Sequence, residues 1–142
     1  MCIRDRYNNL VFFAHDLDRI YAENGSKVHR QLFGNTIRHL HKNLLIESKG
    51  LPSSGRITLL HQENKNRYVV HLLYAPPLQR GRCLIIEDVP EIYGVELNIN
   101  LNEKIKKVYF VNLEKEIKIE DTKSIQIKVD KFQIHEALVL EY

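Results

Sequence analysis

The chain has no tryptophan and only two cysteines among its 142 residues. Without tryptophan, an exposed aromatic platform of the kind that stacks on sugar rings must be built from tyrosine or phenylalanine. The cysteines, Cys2 and Cys83, lie far apart in sequence and form no disulfide framework, which favours free thiols or a reducing compartment. No apolar run approaches the roughly 20 residues that a bilayer-spanning helix needs.

The chain also has no large excess of charge of one sign. The formal net charge is +3 and the sequence pI is about 8.8, well short of the concentrated positive charge of a nucleic-acid-binding domain. With 44% hydrophobic and 27% charged residues, the composition is that of an ordinary globular protein. The length fits one domain, or a small domain with a piece of another attached.

The first residues differ in character from the rest. MCIRDR resembles a peptide found at the front of many metagenomic translations, where a sequencing adaptor is read as coding sequence. We therefore expect residues 1–6 to be a non-native leader. The stretch also lacks the apolar segment of a signal peptide, but with a non-native leader this absence says nothing about the parent protein. The expected location of the parent is the bacterial cytoplasm.

The rest of the chain is organised around 66–75, NRYVVHLLYA. Nearly every residue is apolar, Asn64–Asn66 form a turn before it, and Pro76-Pro77 end it. Such a run requires cover on both faces and predicts a central strand.

From residue 56 onward the pattern predicts short strands joined by turns. Val95 to Leu101 and Ile125 to Val129 alternate apolar and polar residues, as half-buried strands do. About eight such strands favour a mainly β fold, an antiparallel β-sandwich. We assign it to 56–142.

Before residue 48 the pattern changes to strand, helix, helix. Leu10–Ala14 predicts a buried strand, Asn24-Gly25 a helix end, and Ser26 the N-cap of a second helix. The apolar stripe of that helix is Val28, Leu32, Phe33, Thr36, Ile37 and Leu40. Residues 7–47 are interpreted as the end of an α/β domain and 48–55, SKGLPSSG, as the linker.

Candidate catalytic residues are few. Glu87 and Asp88 are adjacent, and on a strand they point to opposite faces, so they do not share a substrate. Ser53-Ser54 lacks the surroundings of a nucleophile elbow. Four further carboxyl groups lie among lysines and are interpreted as solvated hairpin charges: Glu114, Glu116, Glu120 and Asp121. We assign no catalytic residue.

Metal, cofactor and nucleic-acid sites are not predicted either. His39 and His41 would point to different sides of a helix, and no Cys or carboxylate residue completes a metal-ligand set with them and His29. Cys83 opens an apolar strand and predicts a core thiol, and His71 predicts a hydrogen-bonded core histidine. No phosphate-binding loop is present. A basic edge without interleaved aromatic residues is interpreted as solvated: Lys104, Lys106, Lys107 and Lys118.

Four segments together resemble a known family: RITLLHQENKNRYVVHLLYAPP, IIEDVPEIYGVELNINL, KKVYFV and IHEALVLEY. They are similar to the C-terminal end of bacterial glycoside hydrolases related to the family 42 β-galactosidases, including hypothetical glycosyl hydrolases and α-L-fucosidase-like enzymes. The likeness covers residues 9 to 142. The family often has a Gly-His pair before the last strand, where this chain has Ile134-His135.

The resemblance implies a catalytic (β/α)8 barrel, a flavodoxin-like trimerisation domain and a C-terminal β-sandwich in the parent enzyme. The catalytic glutamates of the family lie on the barrel, so none is carried over. Asp88, Pro90 and Tyr93 fit the family pattern only as structural residues. The expected role is that of a non-catalytic accessory fragment, whose partners are the rest of the hydrolase and its homo-oligomer, a trimer.

Two alternatives remain. A free-standing carbohydrate-binding module would need exposed aromatic residues, and its candidates are Tyr68, Tyr74, Tyr93 and Tyr109. A small nucleic-acid-binding domain would need more positive charge. The upstream reading frame discriminates the classes, because a barrel there identifies the hydrolase.

Overall fold

The structure, a computed structural model, describes residues 4–7, 10–119 and 122–142. It divides between Leu44 and Leu45 into two compact units, called here the helical unit and the sandwich unit. The described residues are mainly β, with antiparallel sheets and two helices, which confirms the predicted fold class.

The helical unit contains a strand pair and two helices. Strand β1 (Arg4–Tyr7) pairs antiparallel with β2 (Leu10–Phe13). Helix α1 (Leu17–Asn24) and helix α2 (Lys27–Leu40) follow. Among the described residues, no helix is long and apolar enough to cross a membrane.

The junction of the two helices follows the predicted signals. Gly25 has a positive φ of 61°, which glycine adopts without a steric penalty, and its N–H donates to the carbonyl of Tyr21 at 2.8 Å. Ser26 occupies the N-cap position of α2, and its carbonyl accepts from the Arg30 N–H at 3.2 Å. Its hydroxyl forms no capping hydrogen bond, so the cap is weaker than predicted.

Burial in the helical unit is slight. Among its described side chains only Leu17 and Thr36 are buried. The strand predicted at Leu10–Ala14 is present as β2, but its predicted burial is wrong, because Leu10 and Phe12 lie exposed on a two-stranded ribbon. The predicted stripe of α2 is likewise mostly exposed. The helical unit therefore lacks a core of its own.

The sandwich unit holds the remaining strands. They are β3 (Ile46–Lys49), β4 (Arg56–Gln62), β5 (Arg67–Tyr74), β6 (Leu78–Arg80), β7 (Cys83–Ile85), β8 (Ile92–Ile105), β9 (Lys107–Phe110), β10 (Glu116–Ile117), β11 (Thr122–Phe132) and β12 (Ile134–Glu141). A five-stranded sheet has the order β10-β9-β12-β5-β4, and a three-stranded sheet has the order β11-β8-β3. A separate two-stranded ribbon pairs β6 with β7.

Alternation along the strands of the three-stranded sheet is regular. On β8, Val95, Leu97 and Ile99 are buried while the residues between them are exposed. On β11, Ile125 and Ile127 repeat this pattern. These side chains form one core with those of the five-stranded sheet, which include Val70, Leu72, Val108, Phe110, Leu138 and Leu140. Two apolar faces in one core are the arrangement of a β-sandwich.

Strand β5 has neighbours on both sides, as its sequence predicts. It pairs with β4 on one side and β12 on the other. Val70 and Leu72 point into the core, and Val69, which points to the opposite face, is buried as well. The predicted cover on both faces is confirmed at these positions. It ends at Leu73, which is exposed.

The boundary between the units lies earlier than the predicted linker. Ser48 and Lys49 belong to β3 and pair with Leu97 and Glu96 of β8. The rest of the predicted linker does turn, since the Gly55 N–H donates to the Pro52 carbonyl at 2.8 Å. The sequence assigns Ser48 and Lys49 to the linker because both are polar, and both are exposed on β3.

Replacing Leu72 by Ala should lower the free energy of unfolding of the sandwich unit by about 2–5 kcal/mol, because Leu72 is 1% exposed and its removal leaves a cavity. Leu84→Ala is the matched control. Leu84 is 70% exposed, so its truncation should change stability by no more than about 0.5 kcal/mol. Urea unfolding followed by circular dichroism measures both, and equal effects would contradict the assigned core.

Amide hydrogen exchange should be faster in α2 than in β5 and β12. The reason is that opening α2 exposes little buried apolar surface, whereas opening either strand breaks the sandwich core. Exchange followed by NMR or mass spectrometry on the intact chain measures the difference. Equal protection of 27–40 and 67–74 would show that the helical unit is stabilised as strongly as the sandwich.

Candidate functional site

The carboxyl groups of the adjacent pair Glu87 and Asp88 have different surroundings. The sequence had suggested that these two residues lie on a strand. Both lie instead in the loop after β7. Glu87 Oε2 accepts from Arg80 Nε at 3.0 Å and from Nη2 at 2.9 Å, while Asp88 is exposed. The carboxylate of Glu87 therefore ties the loop to β6.

Other carboxyl groups are paired with cations. Arg19 lowers the pKa of Asp16, Lys131 and then Tyr93 lower that of Glu91, and Lys115 lowers that of Asp130. A general acid in glycoside hydrolysis needs a pKa that is raised instead. These three groups are thus poor candidates for that role.

The remaining acidic and hydroxyl candidates that the structure describes are surface groups. Glu116 forms an ion pair with Lys107 at 3.6 Å, and Glu114 is exposed in a turn. Glu120 and Asp121 lie outside the described residues. Ser53-Ser54 is exposed in the turn before β4.

The histidines of the helical unit do not converge. His39 and His41 are exposed at the end of α2, and the ring of His29 lies 6.0 Å from that of His15. Nδ1 of His29 is buried and has no hydrogen-bond partner among the described atoms. Within the described ranges, no group of three or more His, Cys, Asp or Glu side chains is arranged to hold a metal ion.

His71 is hydrogen-bonded, but it lies half-buried on the outer face of the five-stranded sheet rather than in the core. Its Nδ1 is 3.0 Å from Nε2 of His135, and the ring centroids are 5.3 Å apart. One ring must donate and the other accept. Sequence alone could not pair these residues, because their neighbourhood is set by the β5–β12 register, in which Leu73 faces His135.

Ile134, next to this pair, has a strained backbone. Its φ is 61°, and the His135 N–H donates to the Gln133 carbonyl at 2.6 Å, which closes a tight turn around Ile134. A β-branched residue in the left-handed region is a genuine outlier. It stands where the family that the sequence resembles often has glycine, the residue that this conformation favours.

Cys83 and the lysines occupy the surface. The prediction of a core thiol is wrong, because Cys83 is exposed on the short β6–β7 ribbon. Lys107 lies 5.4 Å above the centroid of the Tyr109 ring and also pairs with Glu116. The other lysines of the predicted edge are exposed: Lys104, Lys106 and Lys118.

Tyrosines do not form an aromatic platform in the sandwich unit. Tyr68 is buried, and Tyr74 and Tyr109 are half-buried. Tyr93 is 63% exposed, and its hydroxyl donates to Glu91. A single exposed tyrosine offers less stacking surface than a platform of several rings.

The sandwich unit also contains a cluster of aromatic rings that the sequence did not indicate. The His61 ring stacks on Tyr68 at 4.2 Å, and His61 Nε2 lies 3.0 Å from the Tyr142 hydroxyl. The Tyr68 hydroxyl donates to Glu103 at 2.7 Å. Burial, followed by this hydrogen bond, raises the pKa of Tyr68, so its hydroxyl stays protonated in the folded state.

Glu136 is a second residue that the sequence did not indicate. It is buried, and its Oε1 accepts from the backbone N–H of Asn112 at 3.0 Å and of Ala137 at 2.9 Å. The Asn112 side chain donates in turn to the His135 carbonyl at 2.8 Å. Glu136 therefore anchors the loop after β9, which is a structural role.

Helix α2 of the helical unit carries a row of exposed apolar side chains. On α2, Phe33 is 54% exposed, Ile37 45% and Leu40 38%. Rows of large apolar side chains in solvent mark interaction surfaces. We call this row the apolar ridge, and it is the candidate functional site of the chain.

The fold comprises a β-sandwich unit and a helical unit that carries the apolar ridge. The chain is similar in structure to α-L-fucosidase isoenzyme 2 from Paenibacillus thiaminolyticus, with a TM-score of 0.85 and 31% sequence identity. The match covers 93% of this chain and 20% of the fucosidase chain. No protein-family model and no curated protein matches the sequence.

The match to the fucosidase is long enough to include most of the helical unit as well as the sandwich unit. The sandwich unit makes up roughly seven tenths of the chain. A match over 93% therefore also takes in most of the helical unit. Both units thus have counterparts within one much longer chain.

Replacing Ile134 by Gly should raise the free energy of unfolding by up to about 1 kcal/mol. Relief of left-handed strain contributes about 1–2 kcal/mol, and the greater freedom of glycine in the unfolded chain offsets part of it. Ile134→Ala is the control, because alanine keeps the Cβ and the strain and should not stabilise. Chemical unfolding measures both, and a stabilising alanine would contradict strain as the cause.

Proposed function

We propose that the chain is a non-catalytic C-terminal accessory part of a larger carbohydrate-active glycoside hydrolase. The observation that carries the proposal is the likeness to the fucosidase, at 31% identity over 93% of this chain but only 20% of the other. A stretch of that proportion corresponds to a part of such an enzyme.

The surface of the helical unit supports a structural role. With Leu17 its single buried apolar side chain among those described, the unit buries too little surface to be stable alone. Its exposed apolar ridge requires cover from other protein. In the proposal, that cover comes from the remainder of the parent enzyme.

We further propose the finer identity that the sequence resemblance suggests. Residues 7–47 are then the end of a flavodoxin-like trimerisation domain, and 56–142 the C-terminal sandwich of a β-galactosidase-like or α-L-fucosidase-like enzyme. The chain would support the homo-oligomer, a trimer, and would meet carbohydrate only through the parent. Sequencing the genomic region upstream tests this assignment, which requires a barrel-encoding frame continuous with the present one.

The purified chain should not hydrolyse 4-nitrophenyl α-L-fucoside or 4-nitrophenyl β-D-galactoside above the buffer rate. Glycoside hydrolysis takes two carboxyl groups about 5–10 Å apart, one with a raised pKa. Glu87 is instead bound to Arg80, and Asp16, Glu91 and Asp130 have lowered pKa values.

A known α-L-fucosidase run in parallel verifies the assay. Turnover by the purified chain that disappears in Glu87→Gln or Asp88→Asn would overturn the accessory role. It would place the reaction in this chain.

A further inference from the structure

Two histidines meet across neighbouring strands on the outer face of the five-stranded sheet. His71 of β5 pairs in register with Ala137 of β12, so His135 is its diagonal neighbour on the same face. Both rings are half-buried. Nδ1 of His71 and Nε2 of His135 are 3.0 Å apart, which is the distance of a direct hydrogen bond.

The two rings face each other edge to edge. Their planes differ by 22° and their centres are 5.3 Å apart. This separation is close to the largest that nitrogens 3.0 Å apart allow, since a ring nitrogen lies only one ring radius from its centre. The two nitrogens therefore point at each other and hold one proton between them. A metal ion on the line between them would need about 4 Å, twice the length of a zinc–nitrogen bond.

The number of protons on the pair decides whether this bond exists. A neutral imidazole has one donor and one acceptor nitrogen, so the neutral pair keeps an N–H···N bond, and so does the pair with one extra proton. When both rings are protonated, every ring nitrogen is a donor, and two N–H groups and two positive charges face each other. The hydrogen bond is then replaced by repulsion.

Strand β4 offers no negative charge to offset a second proton. Thr58 is the residue in register with His71, and Arg56 lies in the same row as His135, with Leu73 between them. Neither ring forms an ion pair with a carboxylate within the part of the chain that the structure describes. The nearest charge in register is therefore another cation.

The surroundings on the β12 side are neutral as well. Glu136 points to the opposite face of the sheet, where its carboxylate accepts from two backbone N–H groups. Val111 and Asn112 bond the backbone of β12 at Ala137 and His135, and neither carries a charge. The second positive charge thus has no partner on this side either.

We propose that the His71–His135 pair is a pH-sensitive latch at the start of β12. The latch is closed while the pair has at most one extra proton, and it opens when both rings are charged. It holds the strand directly after Ile134, whose left-handed backbone is strained. The inference concerns the sandwich unit alone and does not depend on the proposed function.

The direction of the pH dependence follows from proton counting. The unfolded chain charges both histidines freely, whereas the closed latch cannot take up the second proton. Because the unfolded state binds more protons in acid, the stability from the latch is present above about pH 6.5, where a free histidine is neutral, and is lost as the pH falls.

A double-mutant cycle of His71→Ala and His135→Ala measures the latch. At pH 8 the coupling between the two sites should stabilise the chain by about a fivefold change in the unfolding equilibrium constant, as one ordinary hydrogen bond does. At pH 5 the coupling should be zero or reversed. Urea unfolding gives these values. A cycle of His71 with His39, which is exposed on α2, is the control and should be additive at both pH values.

The variant His71→Asn separates hydrogen bonding from charge. The asparagine amide is attached where Nδ1 is attached in histidine, and it donates or accepts without becoming charged. Its coupling to His135 should therefore be the same at pH 8 and pH 5. A coupling to Asn that is lost in acid would show that something other than a second charge opens the latch.

The unaltered chain provides an independent measurement. In NMR spectra of the ring nitrogens, His71 and His135 should titrate together in two steps, because a proton on one ring changes the other. His39 should titrate in one step. Circular dichroism verifies that each variant folds, and where one does not, the titration of the unaltered chain decides.

Independent single-step titration of His71 and His135 would overturn the inference. So would a coupling that is absent at pH 8, or one that has the same size at pH 8 and pH 5.

Discussion

The structure depends on the meeting of two apolar sheet faces. Val70 and Leu72 of β5 share one core with Leu97 and Ile99 of β8, and these four side chains are almost wholly removed from water. Burial of a leucine or isoleucine side chain contributes about 1.5–3 kcal/mol. Because β5 pairs on both sides, the core extends across the five-stranded sheet from β4 to β12.

The helical unit, in contrast, buries only Leu17 and Thr36 among its described side chains. Its helices have ordinary start and stop signals, and α1 ends at Gly25 in the left-handed conformation that suits glycine. Local signals form a helix, but most helical stability in proteins comes from packing an apolar face. Phe33 and Ile37 are exposed, so the apolar face of α2 is not packed within the described residues. The contrast between the units is therefore one of burial and not of secondary structure.

Polar groups at the edges of the sandwich serve the fold. Glu136 satisfies two backbone N–H groups, and the Tyr68 hydroxyl is satisfied by Glu103. The strained Ile134 sits beside the His71–His135 pair, where the β12 register fixes both histidines. Buried polar atoms are costly unless paired, so these contacts allow the apolar faces to close fully.

Alternation made the strands predictable. The period of two at Val95–Leu101 and the apolar run around Val70 are local patterns, and they predict which side chains share a strand face. The mainly β class and the turn signals at Gly25 and Pro76 follow from the same local chemistry. Absence of a nucleophile elbow and of a phosphate loop could also be read directly, because those motifs are local.

Tertiary structure alone decided which patterned residues lie in solvent and which distant residues meet. The stripe of α2 has the same amphipathic spacing whether it is covered or bare, so its exposure depends on neighbours that the pattern does not specify. Cys83 is exposed because its strand pairs only with β6, and His71 meets His135 because of register. Local spacing determines faces, whereas register and layer closure determine what each face contacts, and these involve residues far apart in the chain.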